Sequence, residues 1–172
     1  MINRIKNLII HCSVSNLGDV PAIRSWHLAR GWRDIGYNLV ITNGVINSDD
    51  DYVYKLDGII QKGRELDFDA YVSKEEKAAH TLGYNENSIG ICLIGKKKFT
   101  IDQYLSLYHV CKVFKRINPD IQIKGHYEMS TSKGKTCPNF DVAHFRTIIE
   151  GHVFEDEIRN VINENFPMSY ND

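Results

Sequence analysis

Two apolar segments constrain this chain most. Residues 5–11 (IKNLIIH) form a β-branched run that ends in polar Cys12-Ser13. Residues 88–95 (SIGICLIG) are apolar at successive positions, where a half-solvated strand would alternate. Runs this short and this continuous read as strands covered on both faces. Covering both faces of a sheet requires helices in the connections between strands.

The remaining segments supply those helices and further strands. Asp19 caps a predicted helix with Pro21 in its first turn, running through Ile23, Trp26 and His27 to Gly31. Residues 37–47 (YNLVITNGVIN) place Asn43-Gly44 between apolar runs, a hairpin signal. Residues 52–64 add short strands and turns, and residues 66–80 read as a loop with one helical turn. Thr100 with Gln103 forms a capping box. The helix behind it carries Ile101, Leu105, Tyr108, Cys111, Val113 and Phe114 at near-helical spacing. DIQIK (120–124) is another strand, ending at Gly125-His126. One helix starts near Asp141, and a last one covers about 152–165. Strands separated by helices predict an α/β fold with a central mixed β-sheet flanked by helices. With 172 residues, 42% of them apolar, the expectation is a single domain over 1–172 with its core in about 5–150.

Charge and cysteine usage exclude several function classes. The net charge of −1 gives no global attraction to nucleic acid or acidic lipid, so no nucleic-acid partner is expected. Lys96-Lys97-Lys98 is the main like-charge cluster and reads as a solvated turn. No stretch is long and apolar enough for a membrane segment, and the N-terminus lacks the h-region of a signal peptide. The expected place of synthesis is the cytoplasm, with action elsewhere only on release. Cys12, Cys92, Cys111 and Cys137 are scattered in a chain too large to need disulfides, so reduced thiols are expected. Cys12, Cys92 and Cys111 read as small buried hydrophobes. Trp26 and Trp32 read as core, and His27, His109, His144 and His152 fall in predicted helices without a role.

The chemistry-bearing candidates begin with His11 and His126, both leaving strand ends. Active sites of α/β folds gather at such ends. Cys137 lies in KGKTCPNF, where nearby lysines favour its thiolate. Two imidazoles and one thiolate suffice for a catalytic zinc that keeps a fourth position open. The spacing is not local, so the residues alone leave open three unrelated side chains.

Four motifs in order then narrow the reading: IIHCS, GWRDIGYNLVI, AAHTLGYNENSIGICLIG, and GHYEMS…KGKTCPNFD. Together they resemble the N-acetylmuramoyl-L-alanine amidases of the amidase-2 family, in particular the phage T7 lysozyme type, which is related to peptidoglycan recognition proteins. The resemblance covers roughly residues 5–146. It implies zinc held by His11, His126 and Cys137, and catalytic roles for Tyr37 and Lys135. It also implies substrate contacts from His80, with Tyr84 and Asn85 beside it. For Asn85 a turn role stands equally. Two departures border the implied cleft: STSKG is inserted between His126 and Cys137, and residues 66–77 form an extended loop.

The implied reaction is hydrolysis of the amide between N-acetylmuramic acid and L-alanine in peptidoglycan or muropeptides, in a phage-type lytic enzyme. Alternatives are a non-cutting recognition module and an intracellular wall-recycling amidase. Lys135 is suited to an oxyanion. Tyr37 is the candidate for handling the proton, and Glu128, two residues after His126, is its rival. The phage T7 lysozyme type also binds RNA polymerase, through a surface patch that no motif in this chain reports.

Overall fold

A computed structural model describes residues 2–167. The strands are β1 (Asn3–Arg4), β2 (Asn7–Cys12), β3 (Leu39–Asn43), β4 (Asp57–Lys62), β5 (Tyr71–Val72), β6 (Ser88–Leu93) and β7 (Gln122–Gly125). The helices are α1 (Val20–Ala29), α2 (Ile101–Ile117), α3 (Val142–Glu150) and α4 (Ile158–Asn165). Five strands form the main sheet in the order β4-β3-β6-β2-β7. Strands β3, β6, β2 and β7 run parallel, and β4 joins the edge antiparallel to β3. The sheet is therefore mixed, as the alternation of elements predicts.

The two faces are covered unequally. Leu8, Ile10, Ile41, Ile89 and Ile91 point to the side of α2, α3 and α4, where Leu107, Phe114, Phe145 and Ile162 meet them. Val40, Cys92 and Ile94 point to the other side, against Val20 and Ile23 of α1. β6 is buried at all six positions, which explains its unbroken apolar sequence. The predicted caps form. Asp19 accepts from the Ala22 amide at 2.9 Å, and Asp141 from the His144 amide at 2.9 Å. Thr100 and Gln103 cap each other at the start of α2.

Three expectations need correction, and one needs an addition. The Asn43-Gly44 signal does make a turn, with Gly44 at φ +84. The returning strand, however, begins only at Asp57. Val45 leaves the sheet because its carbonyl accepts from the Gly18 amide at 2.9 Å, so residues 44–56 form a long connection. Residues 66–80 are a loop with a single helical turn, closed by the Lys77 amide donating to the Ser73 carbonyl at 3.1 Å, but they also contain a strand that the sequence did not show. Tyr71–Val72 pairs antiparallel with Asn3–Arg4. Buried Glu76 ties this loop together by accepting from the Asp67 and Ser73 amides at 2.9 Å. The last helix starts at Ile158, not near residue 152, so His152 lies in the connection between α3 and α4. Trp32 is not core: it is 40% exposed and stacks on His27 at 4.3 Å.

Candidate metal centre

Register brings the two strand-end histidines together. In the parallel pairing of β2 with β7, Ile10 sits opposite Gly125. The next residues along the chain are His11, still in β2, and His126, the first residue after β7, and their ring centroids lie 4.4 Å apart. A one-residue slip would send one of them to the opposite face of the sheet. Cys137 arrives on the loop before α3. Its carbonyl accepts from the Tyr127 amide at 3.0 Å, which pins the loop to the turn that carries His126. The Cys137 sulfur lies 3.9 Å from His11 Nδ1. One ligand atom from each of His11, His126 and Cys137 falls within 4.8 Å of the other two.

The donor chemistry fits zinc. Zinc prefers imidazole nitrogen and thiolate sulfur at roughly 2.0–2.3 Å, so closing by roughly an ångström would bring all three onto one ion. Both histidines are held neutral, as metal ligation requires. Burial pushes His11 well below the usual imidazole value, reinforced by His80, His126 and Lys135. Burial, then the Lys135 ammonium, lowers His126 to about 4.

A hydrogen-bond chain sets which nitrogen of His11 is free. The Ser88 hydroxyl donates to the Tyr84 carbonyl at 2.7 Å, so it accepts from His80 Nε2–H at 3.2 Å. With His80 protonated on Nε2, its Nδ1 accepts from His11 Nε2–H at 3.1 Å. His11 Nδ1 then keeps its lone pair, and that is the nitrogen facing Cys137. Outer partners commonly fix metal-binding histidines in this way. His80 is itself buried and held neutral, pushed down to about 3 mainly by desolvation. It fits only because residue 90 is glycine: a Cβ there would stand 2.5 Å from the His80 ring.

The loop carrying Tyr37 is anchored from several sides. Asp34 accepts from Arg24 at 2.7 Å and from the Ile35 amide at 2.6 Å. The Gly36 amide donates to His27 Nδ1 at 2.9 Å. A side chain at Gly36 would meet the Trp32 ring at 2.5 Å and the Ala79 carbonyl at 2.8 Å. Tyr37 is brought within 5.2 Å of the His11 ring, centroid to centroid. Burial, followed by the neighbouring thiols, pushes its hydroxyl well above the usual phenol value, so Tyr37 keeps its proton at neutral pH.

The other predicted residues divide into those near the centre and those that build its walls. Lys135 is exposed, and its charge acts on both His11 and His126. Asn85 turns its amide oxygen to the His80 and Thr81 amides at 3.0 and 2.9 Å, fixing the loop that presents His80. The Tyr84 hydroxyl meets Ser130 at 2.6 Å, and Thr131 donates to the Leu82 carbonyl at 3.0 Å. Ser130 and Thr131, at the start of the STSKG segment, therefore pack onto the 80–85 loop. Glu128 turns away from the centre. Its carboxylate accepts from the Gly125 amide at 2.7 Å and pairs with Arg146 at 3.1 Å. Sequence reasoning passed over Ser88, Gly90, Asn38 and His27. Asn38 is fully buried and grips β6 through Gly90, with backbone and side-chain bonds of 2.9 Å. The signal for Gly90 was present, since a glycine inside a buried strand marks a close approach.

Comparisons with known proteins place the chain in a family. The profile described as N-acetylmuramoyl-L-alanine amidase matches residues 2–140. The endolysin of Escherichia phage T7 is 30% identical over 147 residues, covering 78% of this chain and 81% of that protein. The endolysin of Enterobacteria phage K11 is 28% identical over 144 residues, covering 77% and 80%. Among solved structures, the N-acetylmuramoyl-L-alanine amidase LysC from Clostridium intestinale superposes with a TM-score of 0.66 at 21% identity, covering 86% of this chain and 87% of that one. Drosophila PGRP-LB superposes with a TM-score of 0.60 at 21% identity, covering 90% of each chain. The profile spans both strand-end histidines, the Tyr37 and His80 loops and Cys137, and this chain belongs to the N-acetylmuramoyl-L-alanine amidase family.

Proposed function

We propose that this chain is a zinc-dependent peptidoglycan amidase that hydrolyses the bond between N-acetylmuramic acid and L-alanine, in a phage-type lytic setting. The observation that carries the reading is the convergence of His11, His126 and Cys137, both histidines held neutral. These three residues would hold the zinc. When bound, zinc supplies Lewis acidity, which polarises a carbonyl and eases the deprotonation of water.

The chain's own residues do the rest. His80, oriented by Ser88, fixes the His11 ring and its free nitrogen. Lys135 places a cation beside the centre, where the oxyanion of an attacked amide would develop. Tyr37 holds its proton on the phenol oxygen and serves as a hydrogen-bond donor that orients the attacking water or the scissile carbonyl. Glu128, committed to Gly125 and Arg146, serves as a support for the His126 turn. The 80–85 loop, with Ser130 and Thr131 packed on it, forms one wall of the substrate cleft, with Tyr84 available to the sugar or stem peptide.

The test is hydrolysis of purified muropeptides and of intact sacculi by zinc-loaded protein, with products read by mass. Free stem peptides and intact glycan are expected, with activity abolished by chelation and by Cys137→Ala. Release from intact sacculi supports the lytic role, whereas cleavage of small muropeptides alone supports wall recycling. Binding without release would transfer the chain to the recognition proteins. No helix among the described residues is long and apolar enough to cross a membrane.

A further inference from the structure

Cys137 has a second neighbour besides His11. Its sulfur lies 3.9 Å from the sulfur of Cys12, at the end of β2. The Cys12 amide also donates to the Cys137 sulfur at 3.3 Å. Asn139 donates to the Cys12 sulfur at 3.5 Å and to the Lys96 carbonyl at 2.7 Å, holding the 137–139 loop against the strand end. Sequence alternation places Cys12 on the face opposite His11, and it does join the α2-side core. The cysteine loop nevertheless crosses the strand end, so a single sulfur touches the side chains of both residues. Cys92 and Cys111 are fully buried, while Cys137 is partly exposed.

We propose that Cys12 and Cys137 form an oxidation site, a disulfide that competes with metal for the Cys137 sulfur. The metal half of this statement rests on the amidase reading. The oxidant is a low-molecular-weight disulfide such as oxidised glutathione. Cys137, the more exposed of the two, meets it first: its proton leaves to solvent, its sulfur attacks, and a mixed disulfide forms with release of one glutathione thiolate. The Cys12 thiolate then attacks the Cys137 sulfur, forms the Cys12–Cys137 bond and releases the second glutathione. Two protein thiols are oxidised, one small disulfide is reduced to two thiols, and the two cysteine protons pass through solvent to the glutathiones. A disulfide requires the sulfurs to close by roughly 2 Å. Cys137 lies outside any helix or strand and can make that movement, while Cys12 stays in the sheet. Cys12 is thus the resolving thiol, and the oxidised form lacks one of the three metal donors.

The test uses the full chain, stripped of metal and incubated with oxidised glutathione without denaturant. Intact mass and non-reducing peptide mapping are read, and zinc uptake is measured before and after. The wild type should lose two hydrogens, retain no glutathione, and yield one linked pair of peptides containing Cys12 and Cys137. Zinc uptake should be lost with the cross-link and return on reduction, and preloading with zinc should prevent the cross-link. Cys12→Ser and Cys12→Ala should both stop at one glutathione on Cys137. A wild type that stops at the mixed disulfide, or a cross-link mapping to other cysteines, would overturn the proposal. So would a cross-linked protein that still takes up zinc as the reduced protein does. The mapping needs neither metal nor substrate, so it decides the cross-link independently of the amidase reading.

Discussion

Three histidines held neutral make the metal-free protein sensitive to mild acid. His11, His80 and His126 all have folded-state values below the unfolded value of 6.5, His80 at about 3 and His126 at about 4. Between those values the unfolded chain binds protons that the folded chain does not. Stability is therefore fully present above about pH 6.5 and is lost as pH falls toward the folded values. Lowering the pH from about 7.5 to about 5.5 costs at most about 1.4 kcal/mol for each such histidine, so no more than about 4 kcal/mol for three that sit in contact. That is a large part of the roughly 5–15 kcal/mol that holds a domain folded. The assay is urea unfolding of the chelated protein at both pH values. With a slope of about 2 kcal/mol/M, the midpoint should fall by up to about 2 M. His80→Gln should reduce that fall by up to about 0.7 M, one histidine's share at about 1.4 kcal/mol, while His27, also lowered by burial, titrates in both proteins. Carboxylates titrate lower and are common to both proteins, so the comparison isolates the histidine. Equal midpoints at both pH values, or an unchanged fall in the variant, would refute the reasoning.

Lys135→Ala should lower kcat about 10²–10³-fold with little change in KM, as for loss of one oxyanion donor. A raised KM with unchanged kcat would instead make the lysine a binding contact only. Ser88→Ala removes the acceptor that sets the His80 tautomer, and zinc affinity should fall about tenfold or more by chelator competition. Gly90→Ala drives a Cβ into the His80 ring, so either the ring or the strand must shift. A loss of about 1–3 kcal/mol in stability is expected, together with weaker zinc binding. An alanine variant that matches wild type in both would remove His80 from the support of His11.

The parts of the fold encoded in local pattern were legible. Continuous apolar runs gave β2 and β6, and capping residues placed the starts of α1, α2 and α3. What local pattern could not give was the destination of the connections. Asn43-Gly44 has the chemistry of a tight hairpin, but a tertiary bond from Gly18 to Val45 draws the chain away before it can return. Residues 66–80 do hold the single helical turn their sequence suggests, but the loop's path is set by a buried carboxylate, Glu76, that collects two loop amides. The same division runs through the site. His11 and His126 were readable as strand-end residues. The roles of Ser88 and His27 were not, since each acts on a partner supplied by another element. Cys12 is the buried core residue that its sequence suggests, but its contact with Cys137 was not readable, because it lies beyond the strand end, where the faces of the sheet no longer separate neighbours.

The three proposed ligands also differ in how firmly the fold holds them. His11 and His126 are fixed by strand register, and register is set by the whole hydrophobic face of β2 against β6 and β7. Cys137 depends on a loop held by the Tyr127 amide, the Cys12 amide and Asn139. A metal that recruits Cys137 would therefore order the most weakly held ligand, and its binding energy would stabilise the loop more than the sheet. Zinc added to the reduced protein should consequently slow hydrogen exchange most in residues 133–140, while β2 and β6 should gain protection only in proportion to global stability. Equal gains in the loop and the central strands would mean that the cysteine loop is already as rigid as the sheet, and that all three donors are prearranged before metal arrives.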